Sequence, residues 1–297
     1  MSDLARRALI SKTYAQLNHE LPIMFYEPLA QSKAQLWGDW LADPRIRPEL
    51  KKNLGLYIHV PYCTQICSFC YLEKRLLDST VPQFMDRLLE EVDLFGPLFH
   101  GMRFSTLYLG GGTPGALTVT QLDRLFTLLR ASLDLNSLQE FSLETDLPSL
   151  TEEKLLCYQR HGLTRLSVGL QNLDPAVLAQ NNRLHRFDFD RKMELLDRHR
   201  FRDLNLDIIV GIPGGALESV GQTVQRALEL RPSRISLYTF NPYQGYDFDF
   251  RCESTVDALL DDRRTQMALA KGMVDAAEER GELAGRDNLQ LDQTMRS

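Results

Sequence analysis

Three of the five cysteines fall within eight residues, as Cys63, Cys67 and Cys70, while Cys157 and Cys252 stand alone. An odd, clustered count of this kind points to metal or redox chemistry and away from a disulfide framework. The thiols are spaced four and then three apart, in Tyr57-Ile-His-Val-Pro-Tyr-Cys63-Thr-Gln-Ile-Cys67-Ser-Phe-Cys70, on a loop that leaves an apolar run. Three thiolates can bind three irons of a [4Fe–4S] cubane and leave the fourth iron without a protein ligand. A small molecule can then coordinate there, by the logic that separates an open catalytic metal site from a closed structural one. Soft sulfur ligands also suit zinc. A zinc site would need His59 or a distant residue as its fourth ligand, and structural zinc sites usually show paired CxxC-type spacings, so the pattern favours the cluster. His59, in an alternating run, reads first as a hydrogen-bonded core histidine. Cys157 reads as a small core hydrophobe on a helix and Cys252 as a bystander thiol.

These residues need elements to position them. Six β-branched or aromatic runs stand out: 56–60, 106–109, 140–144, 165–169, 205–210 and 234–240. Helix-period stretches lie between them at 81–95, 118–133, 152–161, 188–200 and 217–230. Thr118 precedes one apolar-periodic stretch, and Thr151 precedes another that carries Glu152 and Glu153 in its first turn, where acidic groups favour helix initiation. Repeated βα units with near-continuous apolar strands predict a parallel sheet covered by helices. An open sheet and an incomplete (β/α)6 barrel both place chemistry at the carboxyl ends of the strands. The unusual residues obey that rule. The cysteines follow the first strand, Gly110-Gly111-Gly112 the second, and Glu144, Gln171 and Asp207 close or follow later ones. Residues 1–54 read as an N-terminal extension with helical pieces, 55–256 as the barrel, and 257–297 as a terminal helix and a polar tail predicted to be disordered, the start of a shortened or absent C-terminal domain.

The bulk properties narrow the partners. The chain has 297 residues, 43% of them hydrophobic and 25% charged, with a net charge of −6. No apolar run approaches the roughly 18 residues of a membrane span, and Met1–Tyr14 lacks the continuous apolar stretch of a secretory signal. A cytoplasmic location and no membrane partner are expected. The acidic balance argues against a nucleic-acid binder and favours a small-molecule substrate. Gly110–Pro114 lacks the lysine of a phosphate-binding loop, and no Ser–His–Asp arrangement is evident.

CxxxCxxC with Phe69 before the last cysteine resembles the radical S-adenosylmethionine (SAM) signature. The run Tyr57–Cys70 is more narrowly similar to the oxygen-independent coproporphyrinogen III oxidase (HemN-like) family. The similarity continues through Leu109-Gly-Gly-Gly-Thr-Pro114, Phe141-Ser-Leu-Glu-Thr-Asp146, Leu166-Ser-Val-Gly-Leu-Gln171 and Asp207-Ile-Ile-Val-Gly-Ile-Pro213. The resemblance implies an incomplete (β/α)6 radical SAM barrel in which Cys63, Cys67 and Cys70 hold a [4Fe–4S] cluster that reductively cleaves SAM to a 5′-deoxyadenosyl radical. It implies that Gly111, Gly112 and Thr113 contact the methionine end of SAM, and that Tyr57, Phe69, Glu144, Gln171, Arg183, Asp207 and Asn241 also bind the cofactor. An electron donor such as flavodoxin or ferredoxin is implied as partner. Two segments depart from the oxidase pattern: Cys70-Tyr71-Leu72-Glu73-Lys74-Arg75 replaces a C-G-C continuation, and Ser236–Gln244 differs after the last strand. These departures lean the expected reaction towards methyl or methylene transfer (C-methylation or cyclopropanation), with a second SAM near Tyr71–Arg75 and Asn241–Arg251. Oxidative decarboxylation of coproporphyrinogen III is the alternative, and a haem-binding chaperone the alternative from another class.

Overall fold

The apolar runs become parallel strands because each is buried on both faces, so that hydrogen-bonded pairing and side-chain packing act together. The computed structural model describes residues 22–25, 38–39, 43, 54–70, 72–183, 188–240, 253–283 and 289–291. In chain order, β1 is Pro22–Phe25, β2 Leu54–Val60, β3 Tyr62–Cys63 and β4 Arg75–Leu76, followed by α1 Val81–Phe95 and β5 Phe104–Gly111. Next come α2 Val119–Ser132, β6 Glu140–Asp146, α3 Glu152–Arg160, β7 Arg165–Gln171, α4 Pro175–Gln180 and α5 Phe189–Arg198. The chain continues with β8 Asp203–Val210, α6 Leu217–Glu229, β9 Arg234–Thr239, α7 Glu253–Glu279 and β10 Leu289–Leu291.

The sheet runs β1-β2-β5-β6-β7-β8-β9-β10 and every pairing in it is parallel. The six strands expected from the sequence are its consecutive centre, with one further strand at each edge. The edge strands add one element and correct one expectation. Pro22–Phe25, in the N-terminal extension, pairs with β2, and Leu289–Leu291, in the tail predicted to be disordered, pairs with β9. Both are too short to show a period of their own, and ladder pairing with a formed strand supplies what their sequences do not.

Helix starts follow local chemistry. Thr118 accepts from the Gln121 amide while the Gln121 side chain accepts from the Thr118 amide, a capping box. Thr151 accepts from the Lys154 amide, and Asp188 from that of Arg191. Strands and helices share one core. In β2 every residue except Tyr57 is buried, and Phe126 of α2 meets Phe141 of β6 edge to face at 5.1 Å. Full burial of such a ring stabilises the fold by roughly 1.5–3 kcal/mol. Among the described residues, no helix is long and apolar enough to cross a membrane.

Candidate active site

The loop carrying the thiols is clamped at its base. Tyr62–Cys63 pairs with Arg75–Leu76 as a separate two-stranded sheet, with Arg75 N donating to Pro61 O at 2.6 Å and Leu77 N to Cys63 O at 2.9 Å. The glycine triplet closes the other side, as Gly112 N donates to Val60 O and Thr113 N to Tyr62 O, each at 2.8 Å. A Cβ on Gly112 would lie 2.7 Å from Tyr62 O and 2.9 Å from Pro61 C, both backbone atoms, so only glycine allows this approach. Lys74 Nζ donates to the carbonyls of Cys70 and Leu72, tying the far end of the loop.

Cys63 and Cys67 are buried and Cys70 is half-buried. Burial pushes the Cys63 thiol up to about 11, against a hydrogen bond at 3.5 Å from the Thr113 hydroxyl. It also raises Cys67, opposed by Arg183, whose Nη1 lies 3.6 Å from Cys67 Sγ. A coordinated metal ion displaces such protons outright. The three thiols do not gather within 4.8 Å of one another; among the described residues only Asp123, Cys157 and His161 do. One zinc ion bonded to all three sulfurs at about 2.3 Å would require that closeness, whereas sulfurs on different irons of a cubane stand further apart. In the tighter group, His161 Nε2 is 2.8 Å from Asp123 Oδ1 and Arg160 pairs with the same oxygen, an ion-pair arrangement on the outer helices. Cys157 is fully buried in the core, and His59 is a core histidine with Nδ1 3.2 Å from the Tyr57 hydroxyl.

The thiols open onto a cleft of about 520 Å³ at the carboxyl ends of the strands. Phe69, Gly111, Gly112, Thr113, Glu144, Gln171, Arg183 and Asp207 all line it with the three cysteines. Tyr57 stands one layer back, stacked on Tyr108 at 5.8 Å. Asn241, like Tyr71 and Cys252, lies outside the described residues. Glu144 has both oxygens engaged, Oε1 by the Tyr108 hydroxyl at 2.5 Å and Oε2 by Gly111 N at 3.1 Å. Burial nevertheless pushes its carboxyl up to about 7. Burial likewise raises Asp207, which accepts from Ser167 Oγ at 2.9 Å and Asn205 Nδ2 at 2.8 Å, while Ser236 Oγ holds Asn205 Oδ1 at 2.8 Å. That polar row crosses β7, β8 and β9 on aligned positions.

Gln171 ends β7 at φ 65°, in the left-handed region, next to a register shift after Gly169. A non-glycine residue there is strained by roughly 1 kcal/mol or more, and such strain concentrates at functional sites. Among the described residues its buried Oε1 has no partner, nor does Nε of Arg183, whose Nη2 donates to Gly169 O at 2.6 Å. Sequence reasoning missed Tyr108, Thr145, Asp146 and Tyr238, which surround or line the same cleft. Tyr108 had one legible signal, its position two residues before Gly110 on the same strand face.

Residues 57–227 match the family model described as Radical SAM superfamily. The chain is 34% identical over 195 residues to the oxygen-independent coproporphyrinogen III oxidase of Escherichia coli, covering 64% of this chain and 42% of that protein. It is 31% identical over 192 residues to the heme chaperone HemW of Lactococcus lactis, covering 64% of this chain and 50% of that protein. It therefore spans half or less of the length of these relatives. The solved structure of coproporphyrinogen III oxidase (HemN) from Escherichia coli, described as a radical SAM enzyme, superposes with a TM-score of 0.67 at 27% identity, over 83% of this chain and 56% of that one.

Proposed function

The chain belongs to the radical SAM superfamily, and we propose that its cleft binds SAM beside a [4Fe–4S] cluster on Cys63, Cys67 and Cys70 and uses it to abstract hydrogen from a porphyrinogen-type tetrapyrrole. Held there, the two groups would supply one-electron reductive cleavage of SAM, with methionine released, and hydrogen-atom abstraction from carbon. The observation that carries the reading is the meeting, in one cleft, of three thiols with two orphaned buried polar atoms, Gln171 Oε1 and Arg183 Nε. Buried polar atoms without partners are rare in native proteins, and a bound cofactor supplies them.

Each residue then has a task its own geometry supports. Arg183, held by Gly169 O, steadies Cys67 and offers Nε to the SAM carboxylate. The side-chain-free surface of Gly111 and Gly112 admits the methionine end, with Thr113 beside Cys63. Glu144 and Asp207 present carboxylates to the amino group and ribose, and Gln171 presents its amide. Phe69 walls the cleft and Tyr57 braces Tyr108 one layer back, while a cofactor role for Asn241 rests on the family resemblance alone. Apolar walls from Phe69, Ile209 and Phe240 limit water in the cleft. An external one-electron donor of the flavodoxin or ferredoxin type serves as reductant.

The tetrapyrrole assignment is supported by the two kinds of relative at about 30% identity, an oxidase of coproporphyrinogen III and a heme chaperone. Methyl or methylene transfer, the reaction the divergent segments suggest, is the named activity of neither of these relatives. Anaerobic reconstitution followed by SAM, a reductant and coproporphyrinogen III tests the reading. Release of 5′-deoxyadenosine with loss of carbon dioxide from a propionate is expected. Methyl-labelled SAM passing its carbon into product would overturn it. Stoichiometric haem binding without SAM cleavage would favour the chaperone reading, which the HemW similarity keeps as the second one.

A further inference from the structure

The outer helices hold a second group of metal-ligating side chains. Asp123 on α2, Cys157 on α3 and His161 at the C-cap of α3 each bring one ligand atom within 4.8 Å of the other two, and none of the three lines the cleft. Cys157 and His161 are four residues apart, and His161 N donates to Cys157 O at 3.1 Å, so the last turn of the helix keeps both side chains on one face. The same spacing on a helix carries the two zinc ligands of an H-E-x-x-H motif. The neighbouring helix fixes the imidazole from three positions. Asp123 Oδ1 meets His161 Nε2 at 2.8 Å, the Phe126 ring packs on the imidazole at 5.2 Å, and Arg130 Nη2 donates to His161 O.

The donor set is that of zinc. One thiolate, one imidazole and one carboxylate suit a borderline-soft divalent ion and leave a fourth tetrahedral position for water. Bonds of about 2.0–2.3 Å to a single ion place ligand atoms roughly 3–4 Å apart, so small side-chain rotations close the group around it. The carboxylate and the thiolate together neutralise a divalent charge. The Asp123 side chain is 41% exposed and that of His161 11%, whereas Cys157 is fully buried, so an ion enters past the carboxylate and ends against the sulfur. Burial strengthens the hold of the Cys157 thiol on its proton; a coordinated ion displaces that proton to solvent. Arg160 shares the Asp123 oxygen at 3.3 Å, but its side chain is 61% exposed, and exposed pairs of this kind are weak. Ion pairing accounts for Asp123, Arg160 and His161 and gives the adjacent thiol no part.

We propose that Asp123, Cys157 and His161 form a zinc-class site that pins α2 to the end of α3, separate from the iron–sulfur centre. The ion cross-links the two helices that follow β5 and β6, behind the strands that bring Gly111 and Glu144 to the cleft.

The test dialyses the reconstituted full chain anaerobically against zinc chloride and compares wild type with Cys157→Ser and His161→Asn, which nearly preserve side-chain volume. Wild type is expected to take up one zinc per chain with its iron unchanged and to melt at a higher temperature with zinc than without. Both variants are expected to lose that zinc and the shift while keeping their iron. Cobalt(II) then identifies the ligands in a chain carrying Cys63→Ala, Cys67→Ala and Cys70→Ala together, where the cluster thiols cannot contribute. Intense thiolate-to-cobalt absorbance is expected there, and its loss when Cys157→Ser is added. If either volume-preserving variant fails to fold, Asp123→Asn, on the most exposed ligand, decides the question by the same zinc measurement. No zinc uptake by wild type, zinc retained in the folded variants, or cobalt bound without thiolate absorbance would each overturn the site.

Discussion

The Tyr108 hydroxyl donates to Glu144 Oε1 at 2.5 Å, from the strand next to the one that carries the carboxylate. Gly111 N holds the other oxygen, so the carboxylate enters the cleft already oriented, and the ring of Tyr108 is itself braced by stacking on Tyr57. The two hydrogen bonds lower the proton affinity of Glu144, while burial and Asp207 raise it, and the balance lies near 7. If SAM requires the ionised form, affinity falls as pH drops through about 7. Tyr108→Phe removes one of the lowering contributions, so the midpoint of the pH profile of SAM binding should move upward, with about a tenfold loss of affinity at neutral pH. An unchanged profile in a folded variant would show that Tyr108 does not tune Glu144.

The same carboxyl makes the cofactor-free fold pH-sensitive. Its folded value, about 7, lies above the ordinary 4.5, so the folded state holds the proton more strongly than the unfolded chain between those two values. Stability therefore falls as pH rises through that window, by up to about 3 kcal/mol, and the loss persists above it. Urea unfolding from pH 5 to pH 8 should show this slope in wild type and a flatter one in Glu144→Gln.

Cys63→Ala, Cys67→Ala and Cys70→Ala should each lose the broad brown absorbance of an iron–sulfur cluster after reconstitution. Cys157→Ala, which alters only the core between the outer helices and the sheet, should keep it. The reading is absorbance together with iron content. A folded Cys157→Ala protein without iron would reassign the ligands.

Glu144→Ala, Gln171→Ala and Asp207→Ala should weaken SAM by about tenfold to a hundredfold without removing iron, because the three residues close strands around the thiols and do not reach them. Equilibrium dialysis with reconstituted protein measures both quantities. Unaltered SAM affinity in all three would mean that the cofactor lies elsewhere.

Two glycine-to-alanine changes should diverge. At Gly112 the added methyl meets the backbone of Pro61 and Tyr62 at under 3.0 Å, where nothing flexible can yield. A loss of roughly 1–3 kcal/mol and reduced iron loading are expected. At Gly272, on α7, an added Cβ meets nothing within 4 Å, and Gly272→Ala should stabilise the helix by about 0.5–1 kcal/mol. Thermal melts of the two variants give the comparison.

The order of six βα units, the helix starts at Thr118 and Thr151 and the position of Cys63, Cys67 and Cys70 after the first central strand were all legible in the sequence. Hydrophobic period and capping chemistry act over a few residues, and the chain writes them locally. The short helix Pro175–Gln180, capped by Asp174, carried its start signal but too few residues to show a period. Only the tertiary structure decided that Tyr108 grips Glu144, that Arg183 returns from beyond β7 to Cys67, and that Arg263 is buried with its guanidinium over Phe240. Those relationships depend on lateral strand register and on which side chains lose water, and neither is encoded in the spacing of residues along one segment. The edge strands Pro22–Phe25 and Leu289–Leu291 belong to the same class, since each forms on the ladder of a neighbour tens of residues away or more and has no pattern that would have announced it.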